Sequence, residues 1–386
     1  MKYRPDYLPF GLPNFTEMEI EAVTRVMRSG WIGMGPETLA FEQELAAAIG
    51  VPHVVTVNSC TSALHLALLV SGVGRGDEVI VPSLTWCSTA NATLYAGAKP
   101  VFCDVAADNL CASIDTITAR LTRRTKAVVV VHFGGYAVDV RALRRALPKR
   151  VAIIEDAAHA LGSTYPNGRR VGSSGNLVCF SFYPNKNLAT AEGGAVALAD
   201  GRKAGRLRSL RQHALPVNAW KRFTHPKTVF LSGALAELGF KMNFTDLQAT
   251  IARVQLRRQP EFARRRLQIA RHYLRRLRPA MPELGFQTAI GDAGHARHLF
   301  VILLPRQPGA PTRDKVLHAL RLRNIGATVH YAPLHHMPLY RHPRRVLLPA
   351  TEKIYQGIMT LPISASMTRR DADYVCDHLI KLLGPR

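Results

Sequence analysis

The sequence predicts an α/β protein with a mainly parallel sheet and a second, smaller α+β domain. Two observations predict it. From Phe41 onward, helical patterns alternate with the short apolar runs "VVTV", "EVIVPSL", "PVFCDV", "AVVVVHF", "VAIIED" and "LVCFSFY", the pattern of strands covered by helices on both faces. Around Phe240 the pattern changes to longer helices and fewer strands, and a chain of 386 residues is long enough for two domains.

The elements follow in order. A proline-punctuated arm, "MKYRPDYLPFGLPNF", leads to Thr16 and Glu19, a capping box that opens a helix with Ile20, Val23 and Met27 on one face and Gly30 at its end. The alternating segment then runs to "LVCFSFY", and a last run, "GGAVALA", follows the loop after it. A long helix is expected from about Thr245 to Leu277, where Leu256, Phe262, Ile269, Tyr273 and Leu277 keep an apolar stripe. The segments "HLFVILL" and "ATVHYAPL" come next, then a final helix capped at Thr368. The division is a large domain over residues 1–250, including the arm, and a small domain over 251–386.

Lys+Arg 51 against Asp+Glu 27 gives a net charge of +24, an excess that attracts anions, whether nucleic acid, a membrane surface or small substrates. The arginine-rich stretch "RVQLRRQPEFARRRLQIARHYLRRLRP" reads as the solvated face of a packed helix. It has neither the aromatic interleaving nor the zinc-finger spacing that would argue for nucleic acid. With 47% hydrophobic and 20% charged residues, wholesale disorder is excluded. The cysteines Cys60, Cys87, Cys103, Cys111, Cys179 and Cys376 form no C-x-x-C pair and lie mostly in apolar segments, as reduced thiols do. The N-terminal stretch has no apolar h-region and no run nears the roughly 18 apolar residues of a membrane span. The expectation is a cytoplasmic protein with neither a membrane nor a nucleic-acid partner.

Ligands of open α/β sheets bind at the carboxyl ends of strands, and four features fall there. "NSCTSALHLAL" carries Ser59, Cys60, Thr61 and Ser62 from a strand into a helix N-terminus, which suits a phosphate. "IIEDAAHA" ends a strand in Glu155 and Asp156, then His159. "PSLTWCST" puts Trp86 just past a strand, where its face could stack on a flat ring. "VCFSFYPNKNLATAEGG" carries Ser181 and, in a constrained turn without a basic neighbour, Lys186. Each has a plainer reading alone: a Ser/Thr or carboxylate helix cap, a core tryptophan, a surface lysine. Together they are the parts that hold pyridoxal 5′-phosphate. Asp156 would keep the pyridine nitrogen protonated, and Lys186 would form the Schiff base and move the proton.

At this point the sequence resembles the DegT/DnrJ/EryC1/StrS sugar aminotransferases. "SGWIGMGPETLAFEQELA", "NSCTSALHLAL", "GDEVIVPSLTWCSTANATLYAGAKPVFCDV", "IIEDAAHALGS", "FSFYPNKNLATAEGGAVA" and "FKMNFTDLQATIARVQL" follow the order of that family's blocks. Among its members, "SLTWCST", "KMNFTDLQA" and "LPISASMTRRDADYV" look most similar to the enzymes that make UDP-4-amino-4-deoxy-L-arabinose. The resemblance implies the pyridoxal-phosphate-dependent transferase fold type I, like aspartate aminotransferase, and a homodimer with shared active sites. It implies that Lys186 is the Schiff-base lysine, Asp156 the pyridinium partner and Trp86 the stacker. Thr61, Ser62 and Ser181 would bind the phosphate, with His159 also on the cofactor. Asn243 would reach the phosphate of the neighbouring subunit. His330 would lie near the sugar nucleotide in the small domain, and Tyr183, where many members carry histidine, would also face substrate. Met242 stands where a tyrosine is usual.

The expected activity is transfer of an amino group from L-glutamate to a keto sugar linked to a nucleoside diphosphate. Alternative readings are a sugar dehydratase of the same fold, whose relatives carry histidine in place of the lysine, and a non-catalytic basic binding protein. No metal is expected, because His330, His335 and His336 lack supporting Cys or carboxylate spacing.

Overall fold

The first helix forms as its cap predicts, but it turns a different face inward. In the computed structural model, which describes residues 4–215, 220, 224, 235, 237–305, 311–341 and 346–383, α1 spans Glu17–Arg28 with the Thr16–Glu19 capping box in place. Glu19, Ala22 and Val26 are buried, whereas Ile20 and Met27 are exposed. The orientation follows Glu19, whose carboxylate also accepts hydrogen bonds from Gln255 and Arg258 and so ties the helix to the chain's middle.

Seven strands build the main sheet: β1 (His53–Val57), β2 (Glu78–Pro82), β3 (Lys99–Cys103), β4 (Thr125–Val131), β5 (Ala152–Asp156), β6 (Leu177–Ser181) and β7 (Gly194–Leu198). Their order is β1-β7-β6-β5-β4-β2-β3. Neighbours from β6 to β3 are parallel, and β7 runs antiparallel to both β6 and β1. The sheet is therefore mainly parallel, with one reversed strand where the chain returns directly from the lysine loop.

Helices cover both faces. On one, α2 (Pro36–Ile49) and α6 (Val140–Ala146) pack over Ile80, Val128, Ile153 and Phe180. On the other, α3 (Cys60–Val70), α4 (Cys87–Tyr95) and α7 (Gly201–Leu210) pack over Val55, Val79, Val129 and Ile154. The short α5 (Ile114–Thr118) lies between β3 and β4 in the chain. Strands such as β2 and β7 are buried at every position, as a sheet covered on both sides requires.

The expected long helix is two: α8 (Asp246–Arg257) and α9 (Gln259–Ala280), meeting at Arg258. Pro260 sits in the first turn of α9, where its missing N–H costs nothing, although it could not have continued α8. The predicted stripe is real, since Phe262, Ile269, Tyr273 and Leu277 are buried. Beyond it, β8 (Gly285–Phe286), β9 (Phe300–Leu303) and β10 (Ile358–Leu361) form a small antiparallel sheet. It shares a separate core with α9, α10 (Arg313–Arg321) and α12 (Arg369–Leu383). Between them lies α11 (Pro349–Gly357). Residue 250 falls inside α8. Among the described residues no helix is long and apolar enough to cross a membrane, and all six cysteines are free thiols.

Candidate active site

Four loops gather at the carboxyl edge of the parallel strands because register brings their ends level. Asp156 pairs with Val131 on one side and Cys179 on the other, while Gly194 pairs with both Ser181 and Val57. Gly194 also explains why glycine closes the lysine loop: a Cβ there would lie 2.5 Å from the Ser59 carbonyl carbon, so any side chain would push β7 off the start of α3. That start is built by Ser59, whose hydroxyl accepts the Ser62 N–H at 3.1 Å while the Ser62 hydroxyl donates to Asn58 at 2.7 Å. Thr61 and Ser62 are half-buried on a helix N-terminus, where backbone N–H groups and the dipole favour an anion.

Asp156 ends β5 pointing to the α4 side. The Thr89 hydroxyl donates to it at 2.8 Å and the Ala158 N–H at 3.2 Å. Burial raises its pKa, and these two bonds with the charge of Lys186 offset that only in part. Its neighbour Glu155 points to the opposite face, as alternation along a strand requires. There it meets His132 at 2.8 Å, Tyr165 at 2.6 Å, Asn176 at 2.8 Å and Ser174. Burial pushes the Glu155 carboxyl up, but the His132 bond and charge, with Ser174 and Tyr165, outweigh it and hold the pKa below its ordinary value.

The Lys186 turn is pinned at several points. Phe182 N–H bonds Gly193 and Thr190 N–H bonds Phe182, closing the loop neck, while Lys186 N–H donates to the Tyr183 carbonyl at 2.8 Å. Asn187 then ties the turn outward, donating to the Ala296 carbonyl at 2.9 Å and accepting from Gln259 at 2.6 Å. Burial lowers the Lys186 amine to about 8, with Cys60 and Asp156 acting in the other direction. An amine whose pKa lies that close to neutrality can both give and take a proton at working pH.

Histidines crowd this amine. His298, on the segment entering β9, places Nε2 3.3 Å from Lys186 Nζ. Its ring lies 4.4 Å from that of His159. His159 Nδ1 accepts the Gly134 N–H at 3.3 Å, so its proton sits on Nε2, 3.1 Å from the Tyr331 hydroxyl. Burial and the charge of Lys186 hold both rings well below the ordinary histidine pKa. His330 is likewise buried, bonds Thr360 at 2.9 Å and is lowered to about 3 by burial and Lys186.

The structure thus groups Asp156, His159, Ser181, Lys186 and His330 with three residues the sequence did not reveal: Thr89, His298 and Tyr331. Thr89 lay in the quoted "SLTWCST" block, where a hydroxyl opening a helix was a usable signal. No spacing links His298 or Tyr331 to the lysine loop. Trp86, the residue before α4, is 57% exposed, with its ring tilted against Tyr331 at 5.7 Å. Tyr183 is 48% exposed, and its carbonyl serves the lysine turn. Asn243 follows Met242, whose carbonyl accepts the Asn58 N–H at 3.1 Å in the same chain. The Asn243 Oδ1 is buried without a hydrogen-bond partner among the described residues. His335 and His336 do find a carboxylate that spacing did not disclose, since both Nε2 atoms meet the same Glu352 oxygen at 2.9 and 2.7 Å. His330 is not among them.

The residues present fit pyridoxal phosphate. A buried carboxylate bonded only by neutral donors suits a ring nitrogen that must carry a proton, and the start of α3, kept open by Gly194, suits a phosphate. An indole more than half exposed at the same edge supplies a stacking face.

Comparisons with known proteins agree. The profile of the DegT/DnrJ/EryC1/StrS aminotransferase family matches residues 13–380. The chain is 38% identical over 379 residues to the spore coat polysaccharide biosynthesis protein SpsC of Bacillus subtilis (strain 168), covering 97% of this chain and 96% of that protein. Among solved structures, the aminotransferase TlmJ from Streptoalloteichus hindustanus superposes with a TM-score of 0.87 at 34% identity, covering 97% and 98% of the two chains. The PLP-form of Spr1654 from Streptococcus pneumoniae does so at 0.87 and 28%, with the same coverage of 97% and 98%.

Proposed function

Because the chain belongs to the DegT/DnrJ/EryC1/StrS aminotransferase family, we propose that it acts as a nucleotide-sugar aminotransferase, moving an amino group from L-glutamate to a nucleotide-linked keto sugar. The coarser statement, a sugar aminotransferase that uses pyridoxal phosphate, follows from the family, and the fold is that of the type I enzymes. The observation that carries the reading is the Lys186 amine, lowered to about 8 and held at one sheet edge with Asp156.

When bound, pyridoxal phosphate supplies the electron-withdrawing ring that makes an amino-acid Cα proton removable, and it carries nitrogen between the two half-reactions. The protein's part is binding and proton handling. Thr61, Ser62 and Ser181 hold the phosphate, Asp156 keeps the ring nitrogen protonated, Trp86 covers a ring face and His159 packs beside it. Lys186 Nζ takes the proton from Cα of the donor and returns one to the sugar carbon that receives nitrogen. Lysine at this position, where the dehydrating relatives carry histidine, supports transamination over sugar dehydration. His330 and Tyr183 face the sugar nucleotide, and the net charge of +24 favours approach of its diphosphate.

Division at residue 250 into a cofactor-binding and a smaller domain belongs to the same reading, as does a homodimer in which Asn243 serves the partner's phosphate. The exposure of Tyr7, Leu12, Phe15, Met18, Ile20 and Met27, all within the arm and α1, supports a partner copy. The contact of Met242 with Asn58 of its own chain makes the dimer worth testing directly. Lys186→Ala and Asn243→Ala, once each is confirmed weak or inactive alone, are unfolded and refolded together in equal amounts. A shared site returns roughly a quarter of wild-type sites, whereas Asn243 acting in its own chain returns none. The free cysteines support a reducing, cytoplasmic setting.

The substrate test is a screen of nucleotide keto sugars with glutamate, reading amino products by mass spectrometry. The blocks similar to UDP-4-amino-4-deoxy-L-arabinose enzymes make the corresponding UDP-linked 4-keto sugar the first compound to try. Absence of any amino sugar product across the panel would sink the nucleotide-sugar reading.

A further inference from the structure

Lys186 faces a problem that Asp156 alone does not solve. A lysine used for proton transfer must gain and lose its proton at working pH without leaving its place, yet burial works steadily against the charged form. Among the described residues the side chain within hydrogen-bond reach of Nζ is His298, and its position is unusual in two ways. Nε2 contacts Nζ at 3.3 Å, while Nδ1 is buried and has no hydrogen-bond partner among the described residues. The ring cannot swing freely, because it leans on His159 at 4.4 Å, and His159 is fixed by Gly134 and Tyr331.

We propose that His298 is the positioning residue of the Lys186 amine: a neutral imidazole that accepts a hydrogen bond from the ammonium through Nε2 and thereby keeps Lys186 protonatable near neutral pH. The inference rests on Lys186 being the reactive lysine, which borohydride trapping of the cofactor on its peptide tests separately.

The tautomers make the contact usable in both charge states. While Lys186 is an ammonium, Nε2 accepts and the imidazole proton sits on Nδ1. Once the amine is neutral, Nε2–H can donate to its lone pair instead. The pair therefore holds one charge or none and stays joined. Two charges are excluded, because burial, Lys186, His159, Arg266 and His330 all oppose an imidazolium there. Besides His298, the titratable groups that act on the amine or feel its charge are Cys60, Asp156, His159 and His330. Neutrality is thus what fits His298 to its place, since a second cation 3.3 Å away would drive the proton off the lysine.

The test reads the amine without turnover. The full-length chain, stripped of cofactor, is treated with an amine-acylating reagent across a pH series, and the labelling rate of the peptide containing Lys186 is followed by mass spectrometry. Wild type should show a midpoint near pH 8. His298→Phe should lower it by about one to two units, since a hydrogen bond to a charged group is lost in a buried site. His298→Gln, whose amide oxygen can accept in place of Nε2, should restore most of the shift. Should the Phe variant fail to fold by circular dichroism, His298→Leu removes the acceptor with less bulk. An unchanged or raised midpoint in the variant without an acceptor would overturn the proposal, as would a Gln variant that behaves like Phe.

Discussion

Glu155 and Asp156 are adjacent carboxylates on one strand, and the two sides of the sheet they face are built on opposite principles. Glu155 is met by four donors, from His132, Tyr165, Ser174 and Asn176, and its charge is stabilised where it lies. Asp156 has two neutral donors, and burial raises its pKa. A saturated polar group holds a fold together, whereas an under-satisfied one at a sheet edge is left for something else to complete. A related contrast separates the buried arginine Arg211, whose charge is met by the Glu42 carboxylate, from Lys186, whose described side-chain hydrogen-bond partner is the neutral His298.

The strongest way to break this division is to remove the amine. Lys186→Ala should cost turnover at least about 10^4-fold, since both the covalent attachment and the proton transfer depend on it. The unfolding midpoint should hardly move, because the turn is fixed through backbone and Asn187 bonds rather than through Nζ. Full activity in this variant would end the assignment. Next in size is Asp156→Asn, which keeps the shape and removes the charge. A loss of about 100-fold or more in kcat is expected, with the cofactor still bound. Near-normal turnover would move the role to another residue. Glu155 is not a candidate, since its four bonds on the far face leave it no reach into the site.

The division was half legible in the sequence. Apolar runs ending in hydroxyls, carboxylates and a lone lysine disclosed the strands, their edge and the residues there, because strand ends and helix starts are written locally. What depends on tertiary closure was not. The face that α1 buries is chosen by Gln255 and Arg258 reaching Glu19, over 230 residues away. The split at Arg258 was signalled by Pro260 but hidden within a continuous apolar stripe. His298 stands more than 100 residues from Lys186, and only the folding of the segment before β9 against the lysine loop brings it there. The sequence reading named Asp156 rather than Glu155, but the physical ground for that choice, which face of β5 each one meets, appears only in the fold.

Glu155→Gln sharpens the comparison from the structural side. The amide keeps one acceptor oxygen but turns an NH2 toward donors, leaving some of His132, Tyr165, Ser174 and Asn176 unpaired. A loss of about 2–4 kcal/mol is expected at neutral pH, read from denaturant midpoints, with kcat per folded molecule close to wild type. Because the Glu155 pKa is held down in the fold, its contribution is present above the unfolded value. It should fade as pH falls through the lower folded one. An activity loss as large as that of Asp156→Asn, at unchanged stability, would show that the two faces do not divide the work.

The smallest effect is also the most specific, because it has the opposite sign. Burial raises Asp156 above its unfolded pKa, so the fold favours the protonated carboxyl. That favourable contribution is complete below the unfolded value and is lost as pH rises through the folded one. At neutral pH the ionised Asp156 therefore weighs against the fold of the chain stripped of cofactor. Asp156→Asn, neutral at every pH, should raise the melting temperature there by on the order of 1–2 °C. The difference should shrink toward zero near pH 4, where wild type becomes neutral too. Melting curves of the two stripped proteins between pH 4 and 8 measure it directly. A variant less stable than wild type at neutral pH would mean that Asp156 is held in place like its neighbour, and the contrast between the two carboxylates would be lost.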